Sequence, residues 1–467
     1  MSEQYDYDLI VIGAGPVGEN VADYAARQSL SVAIIESELV GGECSYWACM
    51  PSKALLRSGH ALRAAQRLPG ASQAITGKLD ANAVLARRTQ FTSGWKDDGQ
   101  VKWLDSAGID LIRGRGQLAG PGKVQVGDQF YTARAVALAT GSIPTLPDIK
   151  GLAEARPWGT REITSAQQVP DSLIVLGGGV AGTEMALAFA SLGSSVTLIS
   201  RSALLGREEP FVADYVAAGL EEAGVEVRLG AKPVQVRRAQ DRSVTLTLDD
   251  GSTMQASELV VAAGRTPATL DLGLEALGLD AKLSVDDTML VAGTDWLYAA
   301  GDVNGRALLT HQGKYQARIA GEAIAARLNG APLETGPWGQ HAATADHHAV
   351  PRVIFTDPEV AAVGLTEAQA REAGFPVRTV AYDLGNVAGA SLHADGYTGR
   401  AQLVIDQDQQ VILGATFVGQ DVAELLHAAT IAIVASVPLD RLWHAVPAYP
   451  TMSEIWLRLL EASRQAV

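Results

Sequence analysis

Two stretches of this chain carry the same hydrophobic pattern. Leu9-Ile10-Val11-Ile12 and Leu173-Ile174-Val175-Leu176 are unbroken aliphatic runs, each preceded by a polar residue and followed at once by glycine. Apolar runs of that length without alternation predict strands covered on both faces. Behind each run, apolar positions recur at helical spacing, over 19–28 and 183–192, and a second aliphatic strand follows over 31–36 and 195–200. Strand, glycine turn, helix and strand make a βαβ unit. Two such units predict two dinucleotide-type α/β domains, one opening at the N-terminus and one near residue 150.

Between and beyond these units the pattern changes. Residues 80–107 place Ala, Leu and Arg at helical spacing and read as helical, whereas 123–138 alternate and read as strands. A Pro/Gly-rich stretch at 143–151 reads as a linker. The chain leaves the second unit after Gly264-Arg265-Thr266-Pro267, forms a strand over 297–302 that ends in a Gly-Asp turn, and continues as a helix over 314–328. A second Gly/Pro-rich boundary covers 329–339, and from about Val350 strands and helices alternate as a third, α+β domain.

Composition narrows the function classes. At 467 residues the chain exceeds one hydrophobic core. A formal charge of −15 disfavours nucleic acid and anionic membrane as partners. No apolar run approaches the roughly 20 residues that span a bilayer, and the apolar stretch 9–15 is too short and Gly-rich for a signal peptide. A cytoplasmic protein is expected. The two cysteines, Cys44 and Cys49, are separated by Ser-Tyr-Trp-Ala. So close a pair points to redox chemistry rather than a staple, and its spacing does not suit zinc. No metal site is expected.

The glycines have mechanical reasons. In Gly13-x-Gly15-x-x-Gly18 and Gly177-x-Gly179-x-x-Gly182, the first allows a tight turn and the second lets backbone approach a pyrophosphate. The third lets helix and strand pack closely. The second strand of the first unit ends in Glu36, suited to a ribose 2′-OH. In the second unit the same place holds Ser200, followed by Arg201 and Arg207. An acid removed and two cations added suit a 2′-phosphate, hence NADPH; the plainer alternative is two solvated arginines. The cysteines lie between Gly41-Gly42 and Pro51-Ser52-Lys53 at a helix start, where a thiol is more readily ionised; two buried apolar thiols are the alternative.

The order of these motifs, with Gly-Gly-x-Cys-x4-Cys-x-Pro-Ser-Lys, Ala139-Thr140-Gly141, Gly264-Arg265-x-Pro267 and Tyr298-Ala-Ala-Gly301-Asp302, resembles the class I pyridine nucleotide-disulfide oxidoreductases. That family includes dihydrolipoamide dehydrogenase, glutathione reductase and mercuric reductase. The resemblance implies an FAD domain in two parts (1–150 and 268–340), an inserted NAD(P) domain (151–267) and a C-terminal dimerisation domain (341–467), in a homodimer. It implies that Gly13, Gly15, Gly18 and Glu36 hold the FAD adenosine and pyrophosphate, Asp302 the ribityl chain and Gly116 the adenine side. Gly42, Thr140, Gly141, Gly264 and Gly301 line cofactor. Gly177, Gly179, Gly182, Arg201 and Arg207 would take NADPH, with NADH possible. Lys53 would lie at the flavin and pair with Glu184. Cys49 would be the thiol in charge-transfer contact with the flavin and Cys44 the interchange thiol that meets the substrate.

One departure matters. Where disulfide-reducing members carry His-Pro-Thr-x-Ser/Gly-Glu, this chain reads Tyr449-Pro450-Thr451-Met452-Ser453-Glu454. Thiol–disulfide exchange needs a proton carrier with a pKa near neutrality, and an unperturbed tyrosine, at about 10, is a poor base. His444 stands five residues upstream as a substitute or as a packing residue. The Ser-Tyr-Trp-Ala between the cysteines is bulkier than the Asn-Val-Gly type usual in the family; with Trp443 and Trp456 it lines an acceptor pocket or belongs to a dimer core. The expected activity is an NADPH-dependent reductase of a disulfide or small oxidant. The alternatives are a diaphorase or quinone reductase that bypasses the dithiol, and a structural subunit of a larger complex.

Overall fold

Both faces of the strand Tyr7–Ile12 are buried, and each face belongs to a different core. Leu9 and Val11 join Val32, Ile34, Ala135 and Ala137 in a cluster completed by the helices Pro16–Ala26 and Thr310–Leu328. Ile10 and Ile12 join Ala33, Ile35, Val136 and Leu138 on the other face, against Leu118 and Val124. The unbroken aliphatic run thus arises because alternate residues serve two layers. The computed structural model describes residues 5–465, and the chain divides into two compact units. The first comprises the N-terminal residues to Pro51, Thr89–Thr145 and Arg265–Asp346; the second comprises Ser52–Arg88, Leu146–Gly264 and the chain from His347 onward.

The sheet of the first unit runs in the order Ile109–Arg113, Val32–Glu36, Tyr7–Ile12, Gln129–Leu138, all parallel, and Leu297–Ala299 adds in parallel to the last. The long strand Gln129–Leu138 also carries an antiparallel meander with Lys123–Val126 and Gly116–Gly120. Register places Ile12 beside Ile35 and Leu138. The glycine loop, Glu36 and Ala139 therefore all emerge at the same carboxyl edge, where open α/β sheets bind ligands.

The second unit repeats the plan. Glu226–Leu229, Ser195–Ser200, Ser172–Leu176 and Glu258–Val261 form a parallel sheet. One face packs on the helices Val180–Ser191 and Phe211–Glu222, the other on the antiparallel meander Pro233–Arg238, Val244–Leu248, Thr253–Ala256. The same unit contains an antiparallel five-stranded sheet in the order Pro351–Ile354, Glu359–Gly364, Val411–Gly419, Arg400–Asp406, Val377–Asp383.

Periodicity misplaces three helix starts. The helices begin at Pro16, Val180 and Thr310 rather than at 19, 183 and 314, because their first turns hold glycine, proline and small residues that give no hydrophobic signal. The expected helical region 80–107 is two helices, Ala81–Phe91 and Asp98–Ala107. They are separated by Ser93, Gly94 and Trp95 at positive φ. Among the described residues no helix is long and apolar enough to cross a membrane.

Glu359 opens its strand half-buried, its carboxylate accepting from the Ala423 N–H at 3.1 Å. Burial pushes its pKa up to about 7, reinforced by Asp421 and Asp357 and opposed by Arg57 and by that hydrogen bond. A folded-state pKa raised above the unfolded value stabilises the fold at low pH, and that contribution is lost as pH rises from about 4.5 towards 7. Glu359→Gln keeps the acceptor without the charge. Chemical denaturation is expected to show it more stable than wild type at pH 8, on the order of 2 kcal/mol, with the difference vanishing at acid pH.

Candidate active site

In the first unit, Gly41 (φ 110°) and Gly42 (φ 57°) turn the chain so that a one-turn helix, Gly42–Tyr46, carries Cys44. Trp47 interrupts it, and Cys49 is the first residue of the helix Cys49–Gln66. A Cβ on Gly42 would come within 2.7 Å of Gly15 Cα, so the cysteine turn and the first glycine loop meet backbone to backbone. Both cysteines are half-buried and unlinked. Cys49 Sγ lies 3.3 Å from Thr310 Oγ1. A hydrogen bond to Cys49, with burial, pushes the Cys44 thiol far up, opposed by Thr310 and by the charge of Lys314. The pair therefore keeps a proton on Cys44.

Beside it, the first fingerprint is closed to any other residue type. Gly13 has φ 101°, and a Cβ on Gly18 would sit 1.8 Å from the Gly13 carbonyl oxygen. The helix that starts at Pro16 has no side-chain cap, so its N–H groups face outward. The Glu36 carboxylate is fixed by the N–H groups of Ala14 at 2.8 Å and Glu38 at 2.7 Å. This cradle fits the pyrophosphate and ribose of a dinucleotide. Further residues read from sequence lie in the same unit. Gly116 is buried against Ile12 and Ile35; Thr140 donates to the Ala268 carbonyl at 2.8 Å; Gly141 takes φ 74° and accepts from the Ala268 N–H. Gly301 donates to Gln316 Oε1 at 2.8 Å. Asp302 accepts from Ser142 Oγ at 2.5 Å, and Arg265 Nε donates to the same hydroxyl at 2.7 Å. Burial raises the Asp302 pKa against the pull of Ser142 and Arg265.

The second unit holds the other cofactor-type loop. A Cβ on Gly182 would sit 1.9 Å from the Gly177 carbonyl, and Gly179 opens an uncapped helix. Ser200 is buried at the strand end, while Arg201 and Arg207 are exposed on the loop beyond it. That loop is tied down where Leu205 N–H donates to Gly178 O at 2.8 Å. Gly264, at φ 118°, ends the segment. Lys53 Nζ meets Glu184 Oε2 at 2.7 Å, and the other Glu184 oxygen accepts from Phe355 N–H at 2.9 Å.

The C-terminal motif is not gathered into one bonded group. Tyr449 is 77% exposed, and its hydroxyl makes no hydrogen bond among the described residues. Glu454 is buried and accepts from the Gly389 N–H at 3.2 Å. His444 is exposed. Of the aromatics, Tyr46 is buried within the first unit, and in the second Trp456 packs against Phe417 and Trp443 lies under Arg464. Among the described residues no His/Cys/Asp/Glu cluster suits a metal ion.

Sequence reading missed Ser142, Thr310, Gln316 and Phe355 as supports of these groups. Thr310 meets Cys49 across 261 positions and Phe355 meets Glu184 across 171, so no local pattern signals either.

Residues 7–323 match the family model for pyridine nucleotide-disulphide oxidoreductases, and 350–459 match the dimerisation domain of the same family. A dihydrolipoyl dehydrogenase from Chlorobaculum tepidum is 33% identical, covering 96% of this chain and 95% of the relative. A mercuric reductase from Bacillus cereus is 30% identical, covering 96% and 70%. The HOCl-induced flavoprotein disulfide reductase RclA from Escherichia coli superposes with a TM-score of 0.82 at 25% identity, covering 97% of this chain and 99% of that one.

Glu184 serves two donors, so its substitutions separate them. Glu184→Ala leaves Phe355 N–H and Lys53 without an acceptor and is expected to destabilise the second unit by about 2–3 kcal/mol. Glu184→Gln keeps one bond and is expected to cost less than half as much in calorimetry.

Proposed function

We propose that this chain, which belongs to the pyridine nucleotide-disulphide oxidoreductases, is an NADPH-preferring member that reduces a disulfide or small oxidant through Cys44 and Cys49. The family is FAD-dependent and uses NAD(P)H. The observation that carries the reading is the hydrogen-bonded pair of unlinked thiols at a helix start. Gly13, Gly15, Gly18, Glu36 and Asp302 would hold FAD, with Gly116, Thr140, Gly141 and Gly301 around them. When bound, FAD supplies hydride acceptance from the nicotinamide and onward transfer of an electron pair.

The chain's own residues do the thiol chemistry. Cys44, once deprotonated, attacks one sulfur of the acceptor disulfide, forming a mixed disulfide and releasing one thiol. Cys49 then attacks Cys44, releasing the second thiol and closing the Cys44–Cys49 disulfide, so that overall NADPH, a proton and RSSR give NADP+ and two RSH. The hydrogen bond to Cys49 keeps the proton on Cys44. It means that the proton of Cys44 needs an acceptor. Tyr449 and Glu454, contributed by the second copy of a homodimer, would face Cys44, with His444 as the remaining candidate base. A couple re-reduced at every turnover suits the reducing cytoplasm.

One observation favours a second reading. Tyr449 stands in the sequence where the family's acid–base histidine belongs and is exposed, its hydroxyl making no hydrogen bond among the described residues, which suits a quinone reductase in which the dithiol is secondary. Cys44→Ser separates the two. Loss of lipoamide, glutathione-disulfide and quinone turnover together supports the dithiol route; full quinone turnover supports direct transfer. Tyr449→His is expected to raise disulfide turnover at least about ten-fold, within the range of general acid–base catalysis. Arg201→Glu combined with Arg207→Glu is expected to lower kcat/KM for NADPH about 100-fold, the scale of two lost charged hydrogen bonds to phosphate. NADH turnover in the same steady-state assay should change little.

A further inference from the structure

The segment that carries Cys44 is held from outside by a strap one short loop long. Its helix, Gly42–Tyr46, is a single turn, and a single turn has no intrinsic stability in water. Three successive residues of the loop after Phe91 supply what it lacks. Trp95 Nε1 donates to the Tyr46 carbonyl at 3.1 Å, satisfying an acceptor the helix end leaves open. The Tyr46 hydroxyl is shared between the Val40 carbonyl at 3.0 Å and the Lys96 carbonyl at 3.3 Å. Asp97 Oδ2 accepts from Val40 N–H at 2.8 Å and from Arg113 Nη2 at 2.6 Å. Arg113 in turn donates from Nη1 to the Glu38 carbonyl at 2.7 Å. Cys44 therefore lies between two tethered points, Val40 and Tyr46.

The backbone of the strap shows that this arrangement is imposed. Ser93, Gly94 and Trp95 all adopt the left-handed region, at φ 52°, 60° and 56°. Glycine accepts that region freely; serine does so uncommonly and tryptophan is a real outlier. Backbone strain of this sort persists only where the surroundings over-determine it, and it clusters at functional sites. Here it aims the Trp95 indole at the cysteine segment, while Tyr46, 1% exposed, fills the space beneath. The bulk between the cysteines therefore builds an anchor in the core of the first unit.

We propose that Tyr46 and Trp95 are positioning residues that fix Cys44 against Cys49 and so set the dithiol–disulfide equilibrium of the pair. The inference rests on the reading of Cys44 and Cys49 as a cycling couple. Disulfide closure requires the two Cβ atoms within a narrow separation and torsion. A strapped segment holds the thiols at high effective concentration and favours the disulfide; a released one disperses them and favours the dithiol. The balance is two thiols on one side and one disulfide, two protons and two electrons on the other, with oxidised dithiothreitol as the electron acceptor in the test.

The test uses the full-length, FAD-loaded protein, equilibrated anaerobically in graded ratios of reduced to oxidised dithiothreitol, quenched with an alkylating maleimide and weighed. Tyr46→Phe, which loses only the hydroxyl, and Trp95→Phe, which loses the indole N–H together with the five-membered ring that bears it, are each expected to shift the midpoint about ten-fold towards the dithiol, equivalent to about 30 mV. Asp97→Asn is the third variant, should either of the others fold poorly, and is expected to shift the midpoint in the same direction. Midpoints within two-fold of wild type in variants that retain FAD and melting temperature would overturn the proposal and leave the strap as packing. A wild-type protein that never forms the Cys44–Cys49 disulfide is a different failure: it removes the cycling couple itself and, with it, this inference.

Discussion

The proposed chemistry turns on the contact between the Cys44 and Cys49 thiols, which holds the proton on Cys44. Two sulfurs that share a proton cannot be placed by loops that drift, and much of the first unit follows from that. The glycine pair Gly41-Gly42 lets the cysteine turn press against Gly15. The helix beginning at Cys49 presents its N-terminus to the sulfur, and the helix beginning at Thr310 brings a hydroxyl to 3.3 Å. Parallel strands with two buried faces supply the rigid edge from which these short turns emerge. Rigidity here serves reactivity, because thiol exchange depends on which sulfur holds the proton and which one the attacking group can reach.

The second unit applies the same constraint to charge. Lys53, Glu184 and the Phe355 amide satisfy one another in a largely buried setting, where a lone carboxylate would be costly. Near the opposite end of the sequence, Glu454 is buried on the Gly389 amide while Tyr449 projects outward. The acid of the C-terminal motif is thus buried on a backbone amide, whereas a tyrosine stands exposed in the place of the base. That leaves the proton of Cys44 as the question on which the choice of electron acceptor turns.

Much of this was legible in the sequence because it is local. Aliphatic runs ending in glycine announced both βαβ units, and the strand ends at Glu36 and Ser200 lie where the pattern placed them. The Gly-Gly-x-Cys-x4-Cys spacing marked the close cysteine pair directly. What escaped was set by distance or by silence. Helix starts made of glycine, proline and threonine carry no apolar period. The break at Ser93-Gly94-Trp95 sits inside a stretch whose composition favours helix, and only tertiary bonds to Tyr46 and Val40 explain it. The bulky Ser-Tyr-Trp-Ala insert suggested a substrate pocket as readily as an anchor, because burial of Tyr46 depends on residues some fifty positions away.

The most direct measurement is an anaerobic titration of the purified flavoprotein with NADPH, followed by absorbance and by mass after alkylation. If Cys44 and Cys49 form the working couple, the first equivalent reduces the pair, leaves the flavin largely oxidised, produces a long-wavelength absorbance and exposes both cysteines to alkylation, and only a second equivalent bleaches the flavin. Complete bleaching by a single equivalent, with no long-wavelength absorbance and no change in cysteine alkylation, would contradict it.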